Sequence, residues 1–305
     1  MSKVETMLYG IYPRDEQLRI AISKWERGAT TTSELSGIIN KEKYNLLSVF
    51  RQSGLDHYTD PLVNWHDILR MISYTISSKQ LEKLGRYRET NTFYKQPEID
   101  DYPVYHDLSE QDSDPDKFLP GEIYSNDNSD SYLHFLPGPE SFLNMSIVKK
   151  ELKREKILES LITVYKEIMK KNRMKRLVLF DPYPDRTVFS GYGDIFQSAE
   201  VYFVRYDVNS ETFKNSNFGK PYALVSNSPL SFVNILVTNS RLPGVAIVNS
   251  QNTYLEDPHR IREKAERIRE ENSLDSLLVT HTEYLDFLPR VIADKKVKIL
   301  GEVGE

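Results

Sequence analysis

The sequence predicts an α/β protein built as a single (β/α)8 TIM-type barrel, with a hairpin and loop inserted between its second and third strands. Three observations carry this. Eight short apolar runs recur along the 305 residues, and most are continuous rather than alternating, as strands buried on both faces must be. Helical patterns stand between them, the alternation that builds a parallel sheet. No Gly-x-Gly-x-x-Gly opens a helix after the first run, where the chain reads YGIYPRDEQ. That favours a closed barrel over an open dinucleotide-binding sheet.

The first run is TMLYGIY (6–12). DEQLRIAISKWERG (15–28) follows, with Leu18, Ile22 and Trp25 on one helical face and Gly28 placed just past the helix end. TSELSGIINKEKYNLLSVFRQSG (32–54) reads as a second helix, capped by Thr32 or Ser33 and stopped at Gly54. LDHYTDP (55–61) is the second strand. Residues 85–131 break the regularity: GRYRETNTFYKQPEIDDYP reads as a hairpin or extended insertion, and the polar tract 109–131 as a flexible loop.

The third strand is YLHFLPG (132–138), followed by the charged amphipathic helix KKELKREKILESLITVYKEIMKKN (149–172). RLVLFDP (176–182), EVYFVRYDV (200–208), PYALVSN (221–227) and GVAIVNS (244–250) supply the next four strands. The helix DPHRIREKAERIREEN (257–272), the last strand LLVTHT (277–282) and a closing helix EYLDFLPRVIADK (283–295) complete the barrel, taken as one domain over 1–305. No internal repeat is evident.

Composition excludes several chemistries. There is no cysteine, so disulfides, a thiol nucleophile and thiolate metal sites are all ruled out. The six histidines show no HExxH or other local ligand spacing. A net charge of −5 gives no general attraction for nucleic acid or anionic membrane, and neither is expected as a partner. No apolar run approaches the ~20 residues that span a bilayer, and MSKVETMLYG lacks the pattern of a secretion signal, so the expected location is the cytoplasm.

In a barrel, ligand-binding groups come from where strands end. Those positions supply Arg14, Asp60, Asn64, Trp65, Asp181 and His281, and the insertion adds Asn91 and Tyr94. Arg14, Asp60, Trp65, Asn91 and Tyr94 are expected to face a common cleft. Such groups suit hydrogen-bonded recognition of a polar organic molecule better than metal chemistry. Each also has a plain structural reading. Asp181 before Pro182 can simply order a turn, and Asn91 and Tyr94 can be ordinary hairpin residues. Trp65 can be core. His281 can be a strand-end histidine satisfied by its neighbours, and its replacement by Ala is expected to cost little stability. Arg14 stands out, because a cation near a helix amino terminus is unfavourable unless something anionic offsets it. One His with Asp181 and Asp60 would make only a weak, hard metal site, so no zinc is expected.

Several segments together resemble the cobalamin-independent methionine synthase family. IYPRDEQLRIAISKWERG is similar to its first strand, loop and helix, and SGLDHYTDPLVNWHDILR to its second. GRYRETNTFYKQPEI is similar to its Asn-Thr-x-Tyr insertion and FLPGPESF to its third-strand turn. The match is specific from about residue 5 to residue 145 and looser afterwards, with DPHRIREKAERI and VTHTEYLDFLP fitting the last two units.

The resemblance implies a (β/α)8 barrel. It also implies a division of labour: the family's carboxyl-terminal barrel holds zinc through a His, two Cys and a Glu, whereas the amino-terminal one has no zinc. This chain resembles the amino-terminal type. Thr280-His281-Thr282 stands where the catalytic barrel has a Cys ligand, VRYDVNSETF lacks the His-x-Cys pattern, and Asp181-Pro182 replaces Asp-Glu-Pro. The implied role is to support methyl transfer from a methylated folate, or another methyl carrier, to homocysteine. The implied partners are a separately encoded zinc-type barrel and a folate-like small molecule. The chain would not be catalytic alone. A non-catalytic ligand-binding or scaffold protein, and an autonomous metal-free methyltransferase-like enzyme, are the alternatives.

Overall fold

The computed structural model describes residues 3–76, 79–86, 93–107, 119, 127–213, 219–227 and 232–304. Its main sheet is a closed eight-stranded barrel. The barrel strands are β1 (Lys3–Leu8), β2 (His57–Thr59), β5 (Tyr132–Pro137), β7 (Arg176–Asp181), β8 (Glu200–Arg205), β9 (Ala223–Ser226), β10 (Leu242–Val248) and β11 (Ser276–His281). They run round it in the order β1, β11, β10, β9, β8, β7, β5, β2. All eight apolar runs of the sequence supply a strand. The remaining strands, β3 (Lys79–Arg86), β4 (Phe93–Ile99) and β6 (Ile147–Val148), form a separate small sheet.

Contacts divide the chain into two compact units. The first comprises Met1–Trp65, Phe118–Phe135 and Leu242–Glu305. In it β1 lies parallel to both β11 and β2, and β10 parallel to β11. Helix α1 (Glu16–Glu26) is capped by the Asp15 side chain and followed by Gly28 at φ +70°, the expected left-handed terminator. Helix α2 (Thr32–Gln52) starts with a capping box between Thr31 and Glu34, one residue before the expected cap. Gly54, at φ +79°, follows its end. Helix α8 (Pro258–Glu271) precedes β11, and helix α9 (Arg290–Gly304) packs on β1. Gly301 of α9 lies so close to the α2–β2 turn that an added Cβ would fall 1.6 Å from the Ser53 carbonyl oxygen.

The second unit comprises His66–Lys117 and Leu136–Arg241. Here β7, β8 and β9 run parallel in register. The hairpin β3–β4 is antiparallel, and β4 pairs with β6 in parallel. The helices are α3 (Arg70–Ser73), α4 (Pro139–Asn144), α5 (Arg154–Lys171), α6 (Tyr192–Ser198) and α7 (Val233–Asn239).

Some expectations need correction. The first strand covers 3–8 rather than 6–12: the Tyr9 N–H leaves the strand ladder for the His281 ring, and Gly10 turns the chain at φ +85°. The hairpin begins at Lys79, ahead of the expected 85. The closing helix begins at Arg290, because Pro289 cannot continue a helix from the single turn Leu285–Phe287 and disfavours a helical residue before it. Of the tract read as a flexible loop, 109–118 and 120–126 lie outside the described residues. Leu119 is buried, with its N–H donating to the Asn64 carbonyl at 3.3 Å.

Two helix–strand connections share one geometry. Asn172 and Asn272 end α5 and α8, each folding its side-chain amide onto the carbonyl of the isoleucine four residues back, at 2.9 and 2.8 Å. Arg173 and Ser273 then adopt φ +51° and +52°. Met174 and Leu274 each donate a backbone bond to the carbonyl five residues back, both at 2.9 Å. The fourth and eighth barrel strands are thus launched by the same connection.

Candidate functional site

A dense polar constellation lies at the carboxyl ends of β7 and β8, in the second unit. Asp181, the last residue of β7, is fully buried. Its Oδ1 accepts the Ser141 N–H at 2.7 Å and also the Ser141 hydroxyl. Its Oδ2 accepts the Tyr192 hydroxyl. Ser141 is the third residue of α4, whose N-cap is Gly138 and carries no side chain. Asp181 therefore does from a neighbouring strand what a capping side chain normally does. Gly138 leaves room for it: a Cβ there would stand 2.4 Å from Asp181 Cγ.

Glu140 and Arg205 complete the cluster, both fully buried. Arg205 Nη1 donates to Glu140 Oε2 at 2.7 Å and reaches Asp181 Oδ2 at 3.5 Å, while Nη2 donates to the Asp185 carbonyl at 2.6 Å. Glu140 accepts the N–H groups of Asp185 at 3.0 Å and Phe189 at 2.7 Å. Arg205 shares a strand face with Phe203, whose ring packs on Tyr192 and Phe196 of α6. The network thus lies on the helix-facing side of the sheet, where it ties strand ends to α4, α6 and the segment between β7 and α6.

The candidate residues of the first unit are also engaged. Asp60 is buried in an ion pair with Lys43 of α2 at 2.9 Å, and its Oδ1 holds the Leu62 N–H at 2.7 Å, fixing Leu62 at φ +52°. Arg14 donates to the carbonyls of Val63 and Trp65, both at 2.7 Å. Burial pushes the Asp286 carboxyl up to about 7, and the Arg14 charge opposes that rise. Asn64 is buried, and the Trp65 ring is core, 1% exposed.

His281 spends both ring nitrogens within the barrel wall. Nε2 accepts the Tyr9 N–H at 3.1 Å, and Nδ1–H donates to the Glu283 carbonyl at 2.5 Å. The ring stacks on Tyr9 with centroids 4.4 Å apart. Burial lowers its pKa to about 4, so it is a neutral imidazole of fixed tautomer. In the second unit, Tyr94 is buried against Gly85, its partner across the hairpin. Asn91 lies outside the described residues.

The residues fail the donor test for the zinc centre of a catalytic-type barrel. The chain has no cysteine, His281 has no nitrogen to offer, and the described residues contain no group of three His, Asp or Glu placed to hold an ion.

Glu140, Ser141, Tyr192 and Arg205 were not among the candidates read from the sequence. One signal was available: Arg205 interrupts the apolar run EVYFVR, and a cation inside a buried strand requires a buried partner.

No family profile matches this chain, and no curated protein matches it in sequence. Among solved structures it is similar to a B12-independent methionine synthase from Shewanella sp. W3-18-1 in complex with selenomethionine. The TM-score is 0.69 at 11% identity, over 99% of this chain and 97% of that one. A putative vitamin-B12 independent methionine synthase from Listeria monocytogenes matches at TM-score 0.63 and 15% identity, over 97% and 95%. A methyltransferase from Methanosarcina mazei matches at 0.51 and 12%, over 98% and 94%. The barrel is thus the fold of the cobalamin-independent methionine synthase structures, shared along the whole chain.

Proposed function

We propose that this chain is a methionine-synthase-related barrel that supports methyl transfer to homocysteine together with a separate zinc-bearing barrel, and that it does not turn over alone. The carrying observation is a whole-length likeness to methionine synthase structures in a chain without cysteine. Thiolate chemistry presents the sulfur nucleophile by lowering its pKa at a metal, and this chain lacks the soft ligands that tune such a centre. The engagement of Asp60, Asp181 and His281 with protein partners supports the same reading. The methyl donor would be a methylated folate or another methyl carrier, and the cytoplasm the place of action. Among the described residues no helix is long and apolar enough to cross a membrane.

The test mixes the chain with a zinc-bearing methionine synthase barrel, homocysteine and methylated folate. Methionine formation should exceed that of the zinc barrel alone, and the two chains should co-elute. Neither a rise nor a complex would sink the reading. Turnover by this chain alone would replace it with an autonomous enzyme, and ligand binding without turnover in either setting with a binding protein.

A further inference from the structure

Arg70 is a cation set among the fully buried apolar side chains of Ile68, Leu69, Met71 and Ile72, and is itself 9% exposed. A guanidinium in such surroundings costs free energy unless its donors are met. Asp67, 2% exposed, meets one side of it. Its Oδ1 accepts the Arg70 backbone N–H at 3.1 Å, and its Oδ2 accepts the Nε–H at 2.9 Å. The Lys95 N–H of β4 donates to the same carboxylate, so Asp67 is fixed from two elements and fixes the guanidinium in turn. Nη1 and Nη2 make no hydrogen bond within the described residues, and neither is sealed from solvent. The stem is therefore buried and oriented, while the outer edge of the fork is presented with its N–H groups open. Helix α3 lies in the connection that follows β2, and connections of this kind carry the ligand sites of barrels.

We propose that Arg70 binds the carboxylate of a small monoanionic ligand, end-on through Nη1 and Nη2, with Asp67 holding the guanidinium in place. Two coplanar N–H groups match the two oxygens of a carboxylate. Asp67 already offsets part of the Arg70 charge, so the open edge suits a single negative charge and disfavours a dianion such as sulfate. The proposal stands independently of the methyl-transfer reading.

NMR on the isotope-labelled full chain tests this. The arginine Nε–H signals and the backbone amides are followed at about pH 6.5, where a simple carboxylic acid is ionised, while butyrate is added. The Arg70 Nε–H and the Lys95 amide should shift together and saturate at about millimolar butyrate. Butyramide, the neutral isostere, should leave both in place, and sulfate should bind more weakly than butyrate. Arg260, with its side chain 84% exposed, is the control and should show no saturating response. Arg70→Lys, read at the Lys95 amide, should bind butyrate about tenfold more weakly, because an ammonium cannot make the paired contact.

No saturable shift, equal shifts with butyramide, sulfate binding as tightly as butyrate, or a parallel saturating response at Arg260 would each overturn the proposal. An Arg70→Lys variant with undiminished affinity would do the same. If that variant does not fold, the wild-type comparison of butyrate, butyramide and sulfate decides alone.

Discussion

The backbone N–H of Ser141 donates to Asp181 Oδ1 at 2.7 Å, so the last residue of a barrel strand caps a helix that begins 42 residues earlier in the chain (181 − 139). The Ser141 hydroxyl reinforces this by donating to the same oxygen while accepting the Tyr183 N–H at 2.8 Å. Ser141→Ala removes both contacts inside a fully buried site. It should destabilise the fold by about 1–3 kcal/mol, read as a lower urea midpoint with an unchanged slope. An unchanged midpoint would mean that water replaces the hydroxyl.

Lys43 and Asp60 form an ion pair with each side chain 2% exposed. Removing only the lysine strands a buried carboxylate, so Lys43→Met should cost about 3–5 kcal/mol. Adding Asp60→Asn removes the stranded charge but keeps an acceptor for the Leu62 N–H. The double variant should recover most of the loss in the same denaturation assay. Additive losses would show that the pair acts as two separate contacts.

His281 titrates near 4 in the fold against about 6.5 unfolded. Its neutral form is the one the fold accepts, so its contribution is complete above about pH 6.5 and is lost as pH falls to about 4. The full loss is about 3 kcal/mol. Stability of the wild type should therefore drop more steeply over that window than that of His281→Gln. Parallel profiles would contradict a neutral buried ring. Sequence alone suggested that His281→Ala would cost little. The structure reverses this, since Ala leaves the Tyr9 N–H and the Glu283 carbonyl without their partner, at about 1–3 kcal/mol for each group.

Zinc separates the functional readings. Elemental analysis of the purified protein should find no stoichiometric zinc, and added zinc should bind no tighter than about micromolar, because the described residues hold no three or four converging ligands of a tight site. One zinc per chain, lost in His281→Ala, would remove the supporting-barrel proposal.

The barrel was legible because its strands are continuous apolar runs, and continuity survives without knowledge of partners. α4, α6 and α7 were not, since helices of 6 or 7 residues offer too little periodicity. The likeness of the α5–β7 and α8–β11 connections is marked in sequence only by an Ile four residues before an Asn, and the residues that follow differ (Arg173-Met174 against Ser273-Leu274). Arg14 reads in sequence as a charge in need of an anion, and Asp286, the carboxyl on which its charge acts, stands 272 residues away (286 − 14). The Asp181 cluster was hidden for the same reason. Asp181 and His281 are both strand-end residues with ligand-like chemistry, and only the structure shows those groups engaged with protein partners.

The pairing of β1 with β11 joins Lys3–Met7 to Ser276–Thr280. On the ribosome, the first strand emerges long before the strand that completes its pairing. It must wait with one edge exposed through the synthesis of nearly the whole chain, and an open strand edge invites association with other chains. Loop closure over such a span is slow. Cells that overproduce it should show aggregates built from chains released before residue 276.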